Sequence, residues 1–196
     1  MTGEVEPQPG GRAPAPGALA LVQAFLNTHY DLTAERGGEV LVHADALVAW
    51  LASNGLIARE AKLRPDDLER ALAVREGLRA LAFANNGEPV DSAAVEQLRR
   101  ASAGAFTEVL VESDGPHFHP GAAAILDAAL GTLLASAASG MLEGAWPRLK
   151  ACPGRACGWA FYDQSKNQSA RWCSMKVCGD REKARSYYRR QTQRES

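Results

Sequence analysis

All four cysteines of this 196-residue chain, Cys152, Cys157, Cys173 and Cys178, lie in one stretch near its C-terminus. Four residues separate the members of each pair and fifteen separate the pairs. A tetrahedral Zn²⁺ takes four soft or borderline ligands, at about 2.3 Å for sulfur, and two short cysteine loops brought together by a hairpin supply them without long-range chain closure. Every position is filled by sulfur, so none is left open for a substrate and the metal reads as structural. Two disulfides are the competing reading. The chain opens on early acidic residues with no apolar signal-like run, which implies a reducing cytoplasmic setting where thiols stay free, and zinc is favoured.

Charge is divided unevenly along the chain. From Arg148 onward there are 12 Lys+Arg against 4 Asp+Glu, and before it 10 against 19, although the whole chain sums to −1. Four thiolates and one Zn²⁺ remove two positive charges from the C-terminal part and leave it basic. An acidic body with a basic, metal-stabilised tail implies a polyanion partner for the tail alone.

Residues 1–17 are rich in Pro and Gly and poor in large apolar side chains, the composition of a disordered leader. Leu21, Val22, Phe25 and Leu26 then recur at helical spacing, and that helix ends in Asn27 and Thr28. Gly37-Gly38 is a break, Asp45 is placed to cap a short helix that stops at Asn54-Gly55, and Pro65 opens a longer one. The inward face of this longer helix reads Leu68, Ala71, Leu72, Arg75, Leu78 and Ala82, which puts a guanidinium on an apolar stripe. Arg75 there requires a balancing group: an internal ion pair, a path to the surface, or a small anionic effector held together with Asn27 and Thr28. Asp91 or Ser92 caps a further helix. Alternation from Phe106 to Val111, an Asp114-Gly115 turn and a second short run give a hairpin in which His117 and His119 are packing residues. Residues 121–142 form the longest apolar helix, whose many Ala and Gly residues suit close helix approach or a homodimer face. No stretch reads as a membrane span. Trp146-Pro147 closes the body, giving a leader over 1–17, a domain over 18–146, a metal module over 147–191 and a tail over 192–196.

In the metal module, residues 148–151 enter extended, 158–162 form a strand, 169–172 a return strand, and a helix runs from about Met175 to Gln191. Loop, hairpin and helix around one metal make a treble-clef-like order. Trp159, Phe161 and Trp172 supply its small core. On the terminal helix Arg181, Arg185 and Arg189 recur at four-residue intervals beside Lys183 and Arg190, with Lys166, Arg171 and Lys176 at the hairpin tip and helix start. Interleaved with Tyr187 and Tyr188, this basic face suits double-stranded DNA.

The run Cys157, Gly158, Trp159, Phe161, Asp163, Ser165, Lys166, Asn167, Arg171, Trp172, Cys173, Ser174, Met175, Cys178, Gly179, Arg181 and Lys183 resembles the CGNR zinc finger of bacterial regulators. The helix ending in Asn27-Thr28 is similar to the opening of the ABATE domain that precedes such fingers. The resemblance implies a zinc-containing, DNA-binding transcriptional regulator with an N-terminal sensor, of mainly α fold with a small β-hairpin followed by a four-cysteine finger. Asp180 stands where the family tetrapeptide has Asn. A carboxylate there would repel a phosphate but serves equally well to start a helix. A protein- or RNA-docking module with a dimerising helical body is the alternative, and no nucleophile–base constellation supports an enzyme.

Overall fold

Apolar periodicity builds the main domain. The computed structural model describes residues 8–30, 38–121, 124–155 and 157–192. Helices α1 (Leu19–Leu26), α2 (Ala44–Ser53), α3 (Pro65–Ala84), α4 (Ser92–Ala101) and α5 (Ile125–Leu142) form the framework. Val22, Phe25 and Leu26 of α1, Ala71, Val74 and Leu78 of α3, and Leu126, Leu130 and Leu133 of α5 are buried in one cluster. Each fully buried Leu or Phe contributes roughly 1.5–3 kcal/mol by leaving water. Ile125 and Met141, at the two ends of the α5 stripe, are exposed. By length and composition α5 is long and apolar enough to span a membrane, but half of it is buried inside the protein against α1 and the hairpin, as befits a core helix.

Local signals explain where these helices begin and end. Asp91 accepts the Ala93 and Ala94 amides at the start of α4, and the Arg64 amide donates to Asp67 at the start of α3, behind Pro65. In α2 the cap is His43, whose Nδ1 accepts the Ala46 amide; Asp45 sits inside the first turn, where a carboxylate complements the helix dipole instead. Gly38 lies in a two-residue strand β2 (Gly38–Glu39) paired with β1 (His29–Tyr30), while Gly37 lies outside the described residues. The hairpin pairs β3 (Thr107–Glu112) with β4 (Gly115–Pro120) around the expected turn, and His117 reaches back to Asp114 at 2.8 Å.

The leader departs from expectation. Residues 1–7 lie outside the described residues, but residues 8–17 are packed structure. Pro9–Gly11 make one 3₁₀ turn, Ala15 is buried and donates its amide to Gln23, and Arg12 hydrogen-bonds the carbonyls of Trp172 and Cys173. By composition this segment cannot repay its ordering entropy, yet a few contacts to distant partners do so.

The small residues of α3 and α5 are used within the domain. A Cβ on Gly140 would lie 2.5 Å from Leu19 Cγ, and one on Gly77 would lie 2.3 Å from Leu98 Cβ and 2.9 Å from the Ala94 carbonyl. Gly→Ala in an open helix is stabilising by roughly 1 kcal/mol, whereas overpacking costs about 1–3 kcal/mol. Gly77→Ala should therefore lower the denaturation midpoint in urea. A raised midpoint would contradict this close approach of α3 and α4.

Candidate metal centre

The metal module begins with no break from the domain. A 3₁₀ turn over Trp146–Arg148 leads straight into β5 (Leu149–Ala151), which pairs antiparallel with β6 (Ala160–Tyr162). Leu149, Ala151 and Ala160 belong to the main core. Cys152 follows β5 and Cys157 precedes β6. The Cys152 amide donates to the Trp159 carbonyl at 2.9 Å, and Gly158 turns the chain at φ +60°. The segment 169–172 is not a return strand, because its carbonyls go to side chains: Ala170 to Lys150 and Arg171 to Asn86.

The second cysteine pair sits at a widened helical turn. Met175–Gly179 form one π-turn that continues into α6 (Asp180–Thr192), and the amides of Cys178 and Gly179 both donate to the Ser174 carbonyl. Such turns concentrate at functional positions. Here the turn carries Cys178 to Cys173, with Sγ atoms 3.6 Å apart, and Cys157 Sγ lies 3.6 Å from Cys173 Sγ. All four cysteines are buried, and their sulfurs lie within 4.8 Å of one another. Four sulfurs at about 2.3 Å from a central Zn²⁺ stand about 3.8 Å apart in a tetrahedron, whereas a disulfide requires about 2.05 Å. The cysteines are free thiols suited to one zinc ion. Among themselves they compete for charge. Hydrogen bonds from Cys157, Cys173 and Cys178 hold the Cys152 thiol far below the ordinary range. Sharing the site with Cys152 pushes Cys157 and Cys173 up. A dication favours the thiolate form of every ligand and removes that competition.

Around the sulfurs lies a small supporting shell. Trp159 and Phe161 are buried, Tyr30 meets Trp159 edge-on at 4.8 Å, and half-buried Trp172 packs against the same cluster. Lys150 and Asp163, both buried, pair at 2.8 Å. Asp163 also accepts the amides of Ser165 and Ala170 and the Ser165 hydroxyl. Burial by itself would raise its carboxyl, but Lys150 and these donors hold it below the usual range. One carboxylate thus folds the loop between β6 and Cys173.

Of the three balancing groups open to Arg75, the structure shows the internal ion pair, which corrects the candidate anion site with Asn27 and Thr28. Arg75 is buried, as its place on the stripe required, but it is balanced by protein carboxylates. Its Nη1 and Nη2 donate to Glu39 at 2.7 and 2.5 Å, and its Nε to Glu76 at 2.7 Å. Burial would raise both carboxyls; hydrogen bonds from Arg75 to Glu39, and from Arg79 and Arg75 to Glu76, bring them below the usual range. The Thr28 hydroxyl accepts from Arg75 and donates to the Phe25 carbonyl. Asn27 holds β6, taking the Ala160 amide and donating to its carbonyl. Among the described residues, no unbalanced charge is left at Arg75 for an anionic effector.

The basic candidates separate into groups. Arg185 and Arg189 line one cleft of about 560 Å³ with Tyr188, Glu182, Pro153 and Arg155. Arg155, one residue beyond Gly154 in the first cysteine loop, is not among the sequence candidates; only its place between two ligands could have marked it. Arg185 pairs with Glu182, and Lys183 with Asp180 at 3.6 Å. Asp180 thus lies in the first turn of α6, where the π-turn runs into it, and pairs along the helix. Arg181 and Arg190 are exposed on α6, as are Lys176 in the π-turn and Lys166 in the loop after β6. Arg171 instead pairs with Glu88 of the main domain at 2.6 Å.

Each protomer as purified should carry one zinc, and Cys173→Ser should lose it together with the folded module. Elemental analysis without zinc, or retention of full zinc by the variant, would contradict the site.

Comparison with known families agrees with this geometry. The model of the CGNR zinc finger matches residues 148–191. The model of ABATE, described as "Putative stress-induced transcription regulator", matches residues 9–145 and so includes the packed segment after residue 8. No curated protein matches the chain. Both families are of regulator and zinc-finger type rather than enzyme type. With about two-thirds of its length matched by one family and most of the remainder by the other, the chain belongs to the ABATE family and carries a CGNR zinc finger as its C-terminal module.

Proposed function

We propose that this protein is a cytoplasmic transcriptional regulator that binds double-stranded DNA through its zinc module, with a small-molecule-sensing N-terminal domain. The observation that carries the DNA reading is α6. It has no buried residue, it presents Arg181, Lys183, Arg185, Arg189 and Arg190, and its cationic side faces Arg155 of the metal loop across an open cleft. A helix with no buried residue keeps its cations at the surface, two of them paired within the helix to Glu182 and Asp180, and a stem fixed by metal holds them in register for phosphates. Tyr187 and Tyr188, both exposed, interleave rings with that charge. The CGNR and ABATE matches support regulation by the same arrangement.

Neutralising Arg155, Arg185 and Arg189 together should weaken binding of the zinc-loaded protein to all duplex sequences alike. If about four phosphates are contacted, wild-type affinity should fall roughly a hundredfold between about 50 and 200 mM salt, and the variant's slope should be shallower by about 0.9 for each phosphate it no longer neutralises. Mobility shift with genomic fragments at stated salt measures both. An absent or salt-insensitive interaction would overturn the DNA reading and favour a protein partner.

A further inference from the structure

A cavity of about 510 Å³ lies where the N-terminal arm (residues 8–17), α1, α2 and the zinc module meet. Its volume is that of an ordinary small-molecule site. Tyr30, Trp50 and Trp159 supply three aromatic walls from three different parts of the fold, and Asn27, Ser53 and Asn54 supply polar edges. None of its lining residues carries a charge at neutral pH, and Arg75, Glu39 and Glu76 are not among them. The amide groups deepest in the wall are already committed. Gln23 donates to Gln8 and to the Ala160 carbonyl and accepts from Ala15, Asn27 is closed on Ala160, and the Trp159 indole donates to Gln8. The Tyr30 hydroxyl has no hydrogen-bond partner among the described residues.

We infer that this cavity binds a small, uncharged aromatic compound with at least one hydrogen-bonding group. An ionised ligand entering it would lose hydration without meeting a countercharge. A ring, by contrast, can take the offset or edge-on contacts that Tyr30, Trp50 and Trp159 offer, with the Tyr30 hydroxyl and the Asn54 side-chain oxygen left to orient a polar substituent, the Asn54 nitrogen being held by the Trp50 carbonyl and the Ser53 hydroxyl. Because Trp159 belongs to the zinc module and Trp50 to the main domain, an occupant touches both at once. It therefore binds the docked arrangement of the two in preference to any arrangement in which they part, which is the condition for a ligand to shift an equilibrium. This inference rests on the sensing half of the proposed function and gives it a ligand class different from the anion that Arg75 suggested in the sequence.

The test uses the zinc-loaded full chain and three probes, benzamide, its charged isostere benzoate, and choline, followed by tryptophan fluorescence and thermal unfolding. Benzamide should quench saturably and raise the unfolding temperature, with benzoate and choline at least tenfold weaker. Ala24→Phe, at an exposed α1 position on the cavity rim, should remove the response while leaving zinc content and unfolding temperature unchanged. Benzoate or choline binding as tightly as benzamide overturns the uncharged class. No saturable binding of benzamide, or unchanged binding in Ala24→Phe, overturns the site. DNA affinity measured on the same samples keeps the two readings apart: benzamide binding without any change in DNA affinity supports the cavity and overturns the sensing role, whereas DNA binding with no response to benzamide overturns the cavity alone.

Discussion

The zinc module depends on hydrogen-bond donors that it does not itself possess. A two-stranded sheet of three residues per strand leaves most of its carbonyls without ladder partners, and buried carbonyls must be satisfied. The main domain reaches across to supply them. Arg79 donates to Gly158, Asn86 to Ala151 and Arg171, Asn85 to Trp146 and Leu149, Gln23 and Asn27 to Ala160, and Arg12 to Trp172 and Cys173. A neutral bond of this kind contributes about 0.5–1.5 kcal/mol and a charged one about 1.5–3 kcal/mol. Metal and interface thus share the task of holding a module too small to bury a core of its own.

Helix α3 is the element through which this interface is joined to the rest. Within two turns it carries Arg75, tied to Glu39 of β2, then Glu76 between two guanidiniums, then Arg79, whose Nη groups reach Gly158 of the metal loop and Leu26 at the end of α1. Arg79 is buried beside Arg75, so the pair is tolerable only because carboxylates and carbonyls surround it. The position of the first cysteine loop is therefore fixed from the same helix that orders β1 and β2, and the cavity walled by Tyr30 and Trp159 lies beside that connection.

How much of this is legible in the sequence depends on whether the signal is local. Cysteine spacing, the α1, α3 and α5 stripes, the Asp91 cap and the Asp114-Gly115 turn are patterns within a few residues, and the structure shows them in place, except that Ile125 and Met141 at the ends of the α5 stripe are exposed. The partner of Arg75 is Glu39, 36 residues away, with nothing in its neighbourhood to mark it. Asn85 and Asn86 read as a helix stop, which they are, but their side chains also bind a strand more than 60 residues later. Residues 8–17 have the composition of a linker, and their order comes from Arg12 on the Trp172 and Cys173 carbonyls, the Ala15 amide on Gln23, and Gln8 on the Gln23 and Trp159 side chains. The return strand expected over 169–172 does not form for a related reason: the local pattern suits a strand, but Lys150 and Asn86 take the carbonyls that a strand would have offered.

If the donors from α1, α3 and the arm make one folding unit of the two family segments, scanning calorimetry of the zinc-loaded chain tests that most directly. A single cooperative transition, with calorimetric and van't Hoff enthalpies equal, is the predicted result. Two resolved transitions, one for the main domain and one for the metal module, would contradict it.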